Sequence, residues 1–239
     1  MDFTPTDNQQ LISDTVRQFA ETHIRPNVME WDETQTFPRE LFSRMGELGL
    51  MGVLVPETYG GAGLGYFEYV SAIVEVAKVC GSVGLSMAAH NSLCTGHILQ
   101  FGNEEQKRKY LVPLAKGEII GAFCLSEPEA GSDATSQKTT AIDAGDHYLL
   151  NGTKNWITNG SSASVCLVIA QTDPGKGHKG INAFIIEKGM KGFSVGPKEN
   201  KMGIRGSDTH SLMFTPGKGL WNLGAKLAAN AKDPKQGPA

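Results

Sequence analysis

The segment at residues 123–133, FCLSEPEAGSD, places hydroxyls and a glycine directly after a β-rich run. Ser126 and Ser132 supply hydroxyl donors, and backbone N–H groups near Gly131 can approach a ligand closely because glycine has no side chain. Such a set of donors suits an anionic or carbonyl-rich ligand. The alternative interpretation is an ordinary turn that closes a β-meander.

A second segment, residues 155–160 with the sequence NWITNG, follows soon after. A tryptophan between polar neighbours offers a flat apolar face, and a threonine two positions later projects from the same side of a strand. Trp156 and Thr158 together suit a planar heterocycle, held by stacking and one hydrogen bond. The alternative is that Trp156 fills the core of its domain.

The elements that position these segments begin with helices. Glycine is absent from the start of the chain, and apolar residues recur there at spacings of three and four. Thr4 and Pro5 predict a first helix with Thr4 as its N-cap. A later apolar helix is predicted over residues 83–101, broken near Gly96. The sequence therefore predicts an all-helical domain over residues 1–120.

Beyond Gly121 the apolar period changes from about 3.6 to about 2 residues, which is typical of strands. Short β-rich runs are predicted at residues 119–125, 147–150, 164–171 and 181–187. The clearest turns are predicted at residues 151–152 and 173–175. The fold class is therefore α+β, with a small antiparallel β-barrel or sandwich over residues 121–215. Residues 216–239 are predicted to be a tail that builds no core.

Composition and charge exclude several classes of function. A chain with 40% hydrophobic residues, 20% charged residues and a net charge of -3 is typical of a soluble globular protein. The longest aliphatic run, residues 165–170, is far shorter than the roughly 20 residues that cross a bilayer. The sequence contains no arginine cluster with interleaved aromatic residues, so nucleic-acid binding is not predicted. The sequence thus predicts neither a membrane nor a nucleic-acid partner.

The spacing of the four cysteines indicates their chemical state. The spacing of Cys80, Cys94, Cys124 and Cys166 matches no zinc site, CxxC pair or small disulfide framework. Reduced, buried thiols and no metal site are expected.

The opening residues, MDFTPTDNQQ, have the pattern of neither a signal peptide nor a transit peptide. A cytoplasmic location in a bacterium is therefore expected, with the mitochondrial matrix after processing as the alternative.

Five separated segments together resemble those of the acyl-CoA dehydrogenase family. They are VPETYGGAGLG (55–65), NEEQKRKYLVPLAKGE (103–118), LSEPEAGSDA (125–134), NGTKNWITNG (151–160) and MGIRGSDTHSLMF (202–214). The match runs over nearly all of residues 1–214 in the family's order, which makes it specific where one segment alone would be weak. The chain resembles the N-terminal helical and middle β domains of short-chain, butyryl-CoA dehydrogenase-like members.

The resemblance implies a flavoprotein oxidoreductase of fatty acid β-oxidation, which converts a short-chain acyl-CoA to the 2-enoyl-CoA with FAD as hydride acceptor. In the family, the first segment contacts the flavin ring and pyrophosphate, and the second lies against the isoalloxazine with its threonine near N5 and O4. The implied cofactor-binding residues are Phe123, Leu125, Ser126, Gly131, Ser132, Trp156, Ile157 and Thr158. The implied substrate-binding residues are Ser132, His90 and Leu93. For His90, a partly buried polar residue with a satisfied partner remains the alternative.

The family also has a third, helical domain that supplies the glutamate base, and no segment of this sequence resembles it. The implied set of catalytic residues in this chain is therefore empty, and a truncated form of the enzyme is expected. The implied partners are the acyl-CoA substrate, electron-transfer flavoprotein as electron acceptor, and identical subunits in a homotetramer. Two alternatives stay open: a non-catalytic protein that binds FAD or acyl-CoA, and a non-flavin protein with coincidental motifs.

Overall fold

A computed structural model describes residues 4–145, 147–215 and 225–226. The tail predicted for residues 216–239 lies outside the described residues, apart from Ala225 and Lys226. Helices occupy the chain up to Ala115, and the first strand begins at Gly121, so the predicted change from helix to strand is confirmed. Within the described ranges, no helix is long and apolar enough to cross a membrane.

The helical region consists of short α-helices joined by π-helical and 3-10 segments. Its α-helices are α1 Asp7–Phe19, α2 Val28–Glu33, α3 Arg39–Glu47, α4 Tyr66–Val79, α5 Gly81–Ala88, α6 Gly96–Phe101, α7 Glu104–Gln106 and α8 Val112–Ala115. Between them lie the π-helical segments Ala20–Ile24, Ala89–Thr95 and Lys107–Leu111 and the 3-10 turns Arg25–Asn27 and Glu57–Tyr59.

The N-cap of the first helix lies two residues later than predicted. Thr6, not Thr4, is the N-cap: its hydroxyl accepts from Gln9 N at 3.2 Å, and Gln9 Oε1 accepts from Thr6 N at 3.0 Å. This reciprocal pair satisfies two backbone donors at once. Only Thr6 has a glutamine three positions ahead, which explains why it takes the capping position.

The apolar helix predicted to break near Gly96 does not break there. α5, the π-helical segment Ala89–Thr95 and α6 follow one another directly, and Gly96 keeps helical angles, φ -60° and ψ -40°. A glycine inside a helix costs only about 1 kcal/mol relative to alanine, so the packing of neighbours such as the fully buried Ile98 overrides it.

The strands form a mixed, curled sheet. They are β1 Gly121–Cys124, β2 Thr140–Asp143, β3 Tyr148–Thr158, β4 Val165–Gln171, β5 Ile181–Glu187, β6 Phe193–Lys198, β7 Thr209–Phe214 and β8 Ala225–Lys226. Their order is β6-β7-β3-β2-β4-β5-β8, with β1 beside β4. Most pairs are antiparallel as predicted, but β4 has two parallel neighbours: β1, with Gly121 opposite Val165, and β2, with Thr140 opposite Gln171. The sheet is therefore mixed and not purely antiparallel.

The prediction of a turn at residues 151–152 is wrong. β3 runs straight through this point but changes partner there: Asn151 pairs with Thr140 of β2, whereas Gly152 pairs with Phe214 of β7. Gly152 has φ +151°, and a Cβ at this position would lie 2.4 Å from Thr139 Oγ1. The glycine marks a corner within one strand. The turn predicted at residues 173–175 is confirmed, because Asp173 accepts from Gly175 N between β4 and β5.

Three groups of buried side chains hold the fold together. One lies among the helices around Phe42 and Met45. A second fills the curl of the sheet around Phe184 and Phe214. The third joins the two, because residues such as Leu114 of α8 pack with Leu167 of β4 and other sheet residues. Helices and sheet therefore share a continuous apolar contact, which fixes the surfaces that meet at the site described next.

Candidate functional site

A cleft of about 450 Å³ opens where the helix of α5 and its π-helical continuation faces the beginning of the sheet. The helix contributes Leu85, Ala88, Ala89, Ser92 and Leu93. β1 and the loop after it contribute Phe123, Leu125 and Ser126, and the end of β3 contributes Trp156, Ile157 and Thr158. The two segments that were identified from sequence chemistry therefore meet at one cleft.

Two of the predicted loop residues lie outside this cleft. Gly131 and Ser132 are not among its lining residues and are exposed on the turn that follows a short bridge between Glu127 and Ala130. A side-chain carbon added at Gly131 would meet nothing within 4 Å. Both residues are therefore accessible from solvent.

His90, a predicted substrate contact, does not line the cleft. It is completely buried, with its Nε2 3.0 Å from the carbonyl oxygen of Met51 and 3.2 Å from that of Leu114. Its Nδ1 accepts from the N–H of Gly121 at 3.0 Å. Both ring nitrogens have backbone partners, as in the alternative interpretation of this residue, so the expectation that His90 contacts the acyl chain is corrected.

The burial of His90 predicts a stability that falls in acid. Burial lowers its pKa from 6.5 to about 4, despite hydrogen bonds to Met51 and Leu114 that raise it. Between these pH values the unfolded chain binds a proton that the folded chain does not, so the free energy of unfolding falls as the pH is lowered. We expect His90 to account for a loss of about 3 kcal/mol between pH 7 and pH 4.

Urea unfolding of the parent and of His90→Gln at several pH values measures this contribution. The variant is expected to lose less stability than the parent across the same interval, although it starts from a lower value. His178→Gln is the control, because His178 is exposed. An identical slope in the parent and in His90→Gln would contradict the assignment.

Trp156 does not fill the core. The pairing of β3 with β7 shifts register between Lys154 and Ile157, and at this bulge Trp156 has φ +56°. The bulge leaves the tryptophan 61% exposed while Ile157 beside it is 2% exposed and belongs to the core of the sheet. A bulky residue in left-handed backbone is strained by roughly 1–2 kcal/mol, which is often found at ligand sites.

A buried ion pair fastens the loop after β1 to the strand that carries Trp156. Lys154 has an exposed side-chain fraction of 0% and Glu127 one of 2%, and Lys154 Nζ lies 2.6 Å from Glu127 Oε1. The same ammonium donates to the carbonyl oxygen of Leu125 at 3.0 Å and to Gln137 Oε1 at 3.1 Å. All three ammonium hydrogens can therefore be used inside the protein.

Glu127 is held in its ionised form. Burial raises the pKa of this carboxyl group, but hydrogen bonds from Lys154, Thr139 and the backbone of Lys138 outweigh burial and lower it. A further backbone bond, from Asn155 N to Ser126 O at 2.8 Å, runs beside the ion pair. The loop and the strand thus form one unit, so that Ser126 and Trp156 keep a fixed relation in the cleft.

Phe123 is supported from the helix side. The ring of His97 stacks on it with centroids 5.0 Å apart and an interplanar angle of 25°. His97 Nδ1 is in turn bonded to the carbonyl oxygen of Leu93, which lines the cleft. The aromatic contact therefore couples the position of Phe123 to that of the helix.

Sequence reasoning missed most of the helical wall of the cleft. Besides Leu93, the wall contains Leu85, Ala88, Ala89 and Ser92. These residues follow the three- and four-residue spacing of a single helix face, and that signal was present in the sequence. The π-helical segment Ala89–Thr95 carries part of this face, and such segments are frequent at functional sites.

The lining of the cleft defines what chemistry it supports. Ser92, Ser126 and Thr158 provide hydroxyls, whereas the rest of its described lining is apolar or aromatic and includes no carboxylate, histidine, lysine or cysteine side chain. Across the described ranges, no group of three or more histidine, cysteine and acidic residues is placed to hold a metal ion. The cleft is suited to binding a planar group with a few polar atoms, and its described walls offer no general base.

Comparison with known proteins identifies the class. The family model for the acyl-CoA dehydrogenase N-terminal domain matches residues 6–118, and that for the acyl-CoA dehydrogenase middle domain matches residues 122–216. The chain belongs to the acyl-CoA dehydrogenase family.

Three relatives show the extent of the similarity. The short-chain specific acyl-CoA dehydrogenase of Clostridium acetobutylicum is 52% identical over 214 residues, which are 90% of this chain and 56% of that enzyme. The structure of butyryl-CoA dehydrogenase from Megasphaera elsdenii has a TM-score of 0.86 at 42% identity, covering 96% of this chain and 59% of that one. A glutaryl-CoA dehydrogenase from Mycobacterium smegmatis in complex with FADH2 has a TM-score of 0.87 at 35% identity, covering 94% and 56%. This chain spans about half the length of the curated relatives it matches.

Proposed function

We propose that this chain is part of an FAD-dependent acyl-CoA dehydrogenase that converts a short-chain acyl-CoA to the corresponding 2-enoyl-CoA. The observation that carries the proposal is the meeting of residues 123–126 and 156–158 at one cleft, with Trp156 exposed there. The short-chain specificity rests on the clostridial relative and on the butyryl-CoA dehydrogenase structure. As a consequence, residues 1–120 and 121–215 are proposed to act as two domains that share the cleft.

The residues of the cleft fit a flavin. Trp156 presents an aromatic face that its neighbours leave open, and the hydroxyls of Ser126 and Thr158 stand close enough to line the same space. We assign Phe123, Leu125 and Ile157 to the apolar surroundings of the ring, and the open turn at Gly131 and Ser132 to the pyrophosphate. When bound, FAD supplies the acceptor for a hydride from the substrate β-carbon. The protein's part is to orient the ring and to exclude water from it.

The acyl group is proposed to lie against the helical wall. Leu85, Ala88, Ala89 and Leu93 are apolar along one helix face, which matches a short hydrocarbon chain. Ser132 is proposed to contact the substrate from the turn. Removal of the α-proton needs a carboxylate within hydrogen-bond reach, and the described lining residues provide none. This absence favours a second candidate for the 239-residue polypeptide by itself, which is binding of FAD or acyl-CoA without turnover.

Partners and location follow from the same proposal. We assign electron-transfer flavoprotein as the electron acceptor, a homotetramer as the assembly of the whole enzyme, and the bacterial cytoplasm as its location, with the mitochondrial matrix as the alternative. One face of α4 exposes Phe67, Val70 and Val74, by 78%, 56% and 42%. An apolar stripe of this kind supports an assembly larger than a single copy of these residues.

The substitution Trp156→Ala tests the cofactor site. Loss of the stacking face is expected to weaken FAD binding by about 1–3 kcal/mol, roughly 5- to 150-fold in Kd, because a ring-sized apolar contact is removed. Trp156→Phe is the matched control, since it keeps a flat aromatic face and is expected to retain most of the affinity. Titration of the protein with FAD, followed by flavin fluorescence, measures both. Equal FAD affinity in Trp156→Ala and the parent would refute the assignment.

A further inference from the structure

Gly121 begins β1, two positions before Phe123 of the cleft, and is held through both of its backbone polar groups. Its N–H donates to Nδ1 of the buried His90 at 3.0 Å, and its carbonyl oxygen accepts from Nδ2 of Asn159 at 3.2 Å. A side-chain carbon at this position would lie 2.6 Å from the sulfur of Cys94. The first strand therefore begins in direct contact with the helix, and only glycine fits there.

Asn159 connects this point to the other two walls of the cleft. It follows Thr158 at the end of β3, is completely buried, and donates from Nδ2 to the carbonyl oxygen of Ser86 at 3.1 Å as well as to Gly121. Ser86 lies one position after Leu85 on the helical wall, and Gly121 lies two positions before Phe123. A single amide group thus bonds to the helix and to β1 from the end of β3.

The conformation and surroundings of Asn159 are energetically unfavourable in two respects. Its backbone is left-handed, with φ +63°, a conformation that asparagine reaches more easily than most residues. Its Oδ1 is buried and has no hydrogen-bond partner within the part of the chain that the structure describes. Strained backbone and an unpaired buried acceptor in one residue are expected where position matters more than stability.

We propose that Asn159 is a positioning residue, which sets the spacing of the three walls through Gly121 and thereby shapes the cleft for the planar ring. Ser86, His90, Gly121 and Asn159 together form a hydrogen-bonded group, the Gly121 junction. Asn159 itself does not line the cleft, so its effect on a ligand acts through Thr158 and through the helix. This inference rests on the proposed function as far as FAD is concerned.

The test compares Asn159→Gly with Asn91→Ala. Glycine accepts a φ of +63° and alanine accepts a helical position, so each variant removes a buried amide with little added backbone strain. Asn91 is 2% exposed and donates to the carbonyl oxygens of Leu50 and Met87 at 2.9 and 3.2 Å. These partners, and Val53 N, from which Asn91 Oδ1 accepts at 3.2 Å, belong to the helical region alone, so Asn91→Ala controls for the loss of stability and for disturbance of the helical wall without any contact to β1 or β3.

Two measurements test the positioning role of Asn159. In FAD titrations at temperatures equally far below each melting midpoint, Asn159→Gly is expected to raise Kd by about 10-fold or more, and Asn91→Ala by less than about 3-fold. In amide hydrogen exchange without FAD, Asn159→Gly is expected to increase exchange in residues 85–93, 121–126 and 156–160 together, whereas Asn91→Ala, which lies within the first of these segments, is expected to increase it there and not in the other two.

Equal losses of FAD affinity in the two variants would overturn the positioning role, as would an increase in exchange confined to residues 156–160. If the parent itself bound no FAD, the proposed function would fail. The exchange pattern would then still decide whether the Gly121 junction fixes the three walls, because that measurement needs no cofactor.

Discussion

Replacing Lys154 with methionine is expected to lower the free energy of unfolding by about 3–5 kcal/mol, because Glu127 would remain as a buried charge without its partner. The carbonyl oxygen of Leu125 and the side chain of Gln137 would lose the same donor. Denaturant unfolding followed by circular dichroism measures the loss. FAD affinity is expected to fall with it, since the ammonium group holds the loop of Ser126 against the strand of Trp156.

A second Lys–Glu pair in the same chain provides the control. Lys78 Nζ lies 2.7 Å from Glu75 Oε1, but the lysine side chain is 61% exposed. Lys78→Met is expected to cost at most about 1 kcal/mol. The double variant Lys154→Met, Glu127→Gln is expected to be more stable than Lys154→Met alone, because no unpaired charge is left inside. A loss from Lys154→Met no larger than that from Lys78→Met would show that the buried pair does not hold the loop.

A polypeptide of these 239 residues, saturated with FAD, is expected to oxidise butyryl-CoA at least about 10²–10⁴-fold more slowly than the Clostridium acetobutylicum relative. The reason is the composition of the cleft, whose described lining contains hydroxyls and apolar side chains but no carboxylate to take the α-proton. A dye-coupled assay of the two proteins side by side measures the ratio.

The same samples separate binding from turnover. Retention of FAD without bleaching by butyryl-CoA is the expected outcome for the polypeptide alone. Turnover comparable to that of the relative would show that a carboxylate outside the described lining serves as the base. Absence of any bound flavin under saturating conditions would instead contradict the cofactor assignment, which Trp156→Ala tests independently.

Local sequence patterns predicted the elements that are both regular and buried. β4 and β5 were expected over residues 164–171 and 181–187 and are found at Val165–Gln171 and Ile181–Glu187. Each is an apolar run bounded by turn residues, so local propensity and burial favour the same answer. The change from helix to strand at Gly121 was predictable for the same reason.

Predictions from local sequence were wrong where local propensity and tertiary packing favour different structures. Asn151 and Gly152 have strong turn propensity, yet pairing with β2 and β7 keeps them in one strand. The exposure of Trp156 depends on a bulge set by the register with β7, which no pattern within β3 reveals. The assignment of a flavin site came from the family resemblance, because residue chemistry alone left both motif segments open to structural interpretations.

His90 shows the same limit at the level of one side chain. A histidine on an apolar helix is compatible with a ligand contact or with a buried partner, and only the positions of Met51, Leu114 and Gly121 decide between them. These partners come from three other parts of the chain. Sequence spacing within the helix carries no information about such distant groups.

The parallel pairing of β1 with β4 has a consequence for the order of folding. β1 reaches its partner only after residue 165 has been synthesised, whereas its contacts with the helix at His90 and Cys94 lie earlier in the chain. Because closing a long loop precedes the gain from non-local strand pairing, the sheet is expected to form later than the helical region. During synthesis, β1 is therefore expected to contact the helices first and to pair with β4 only later.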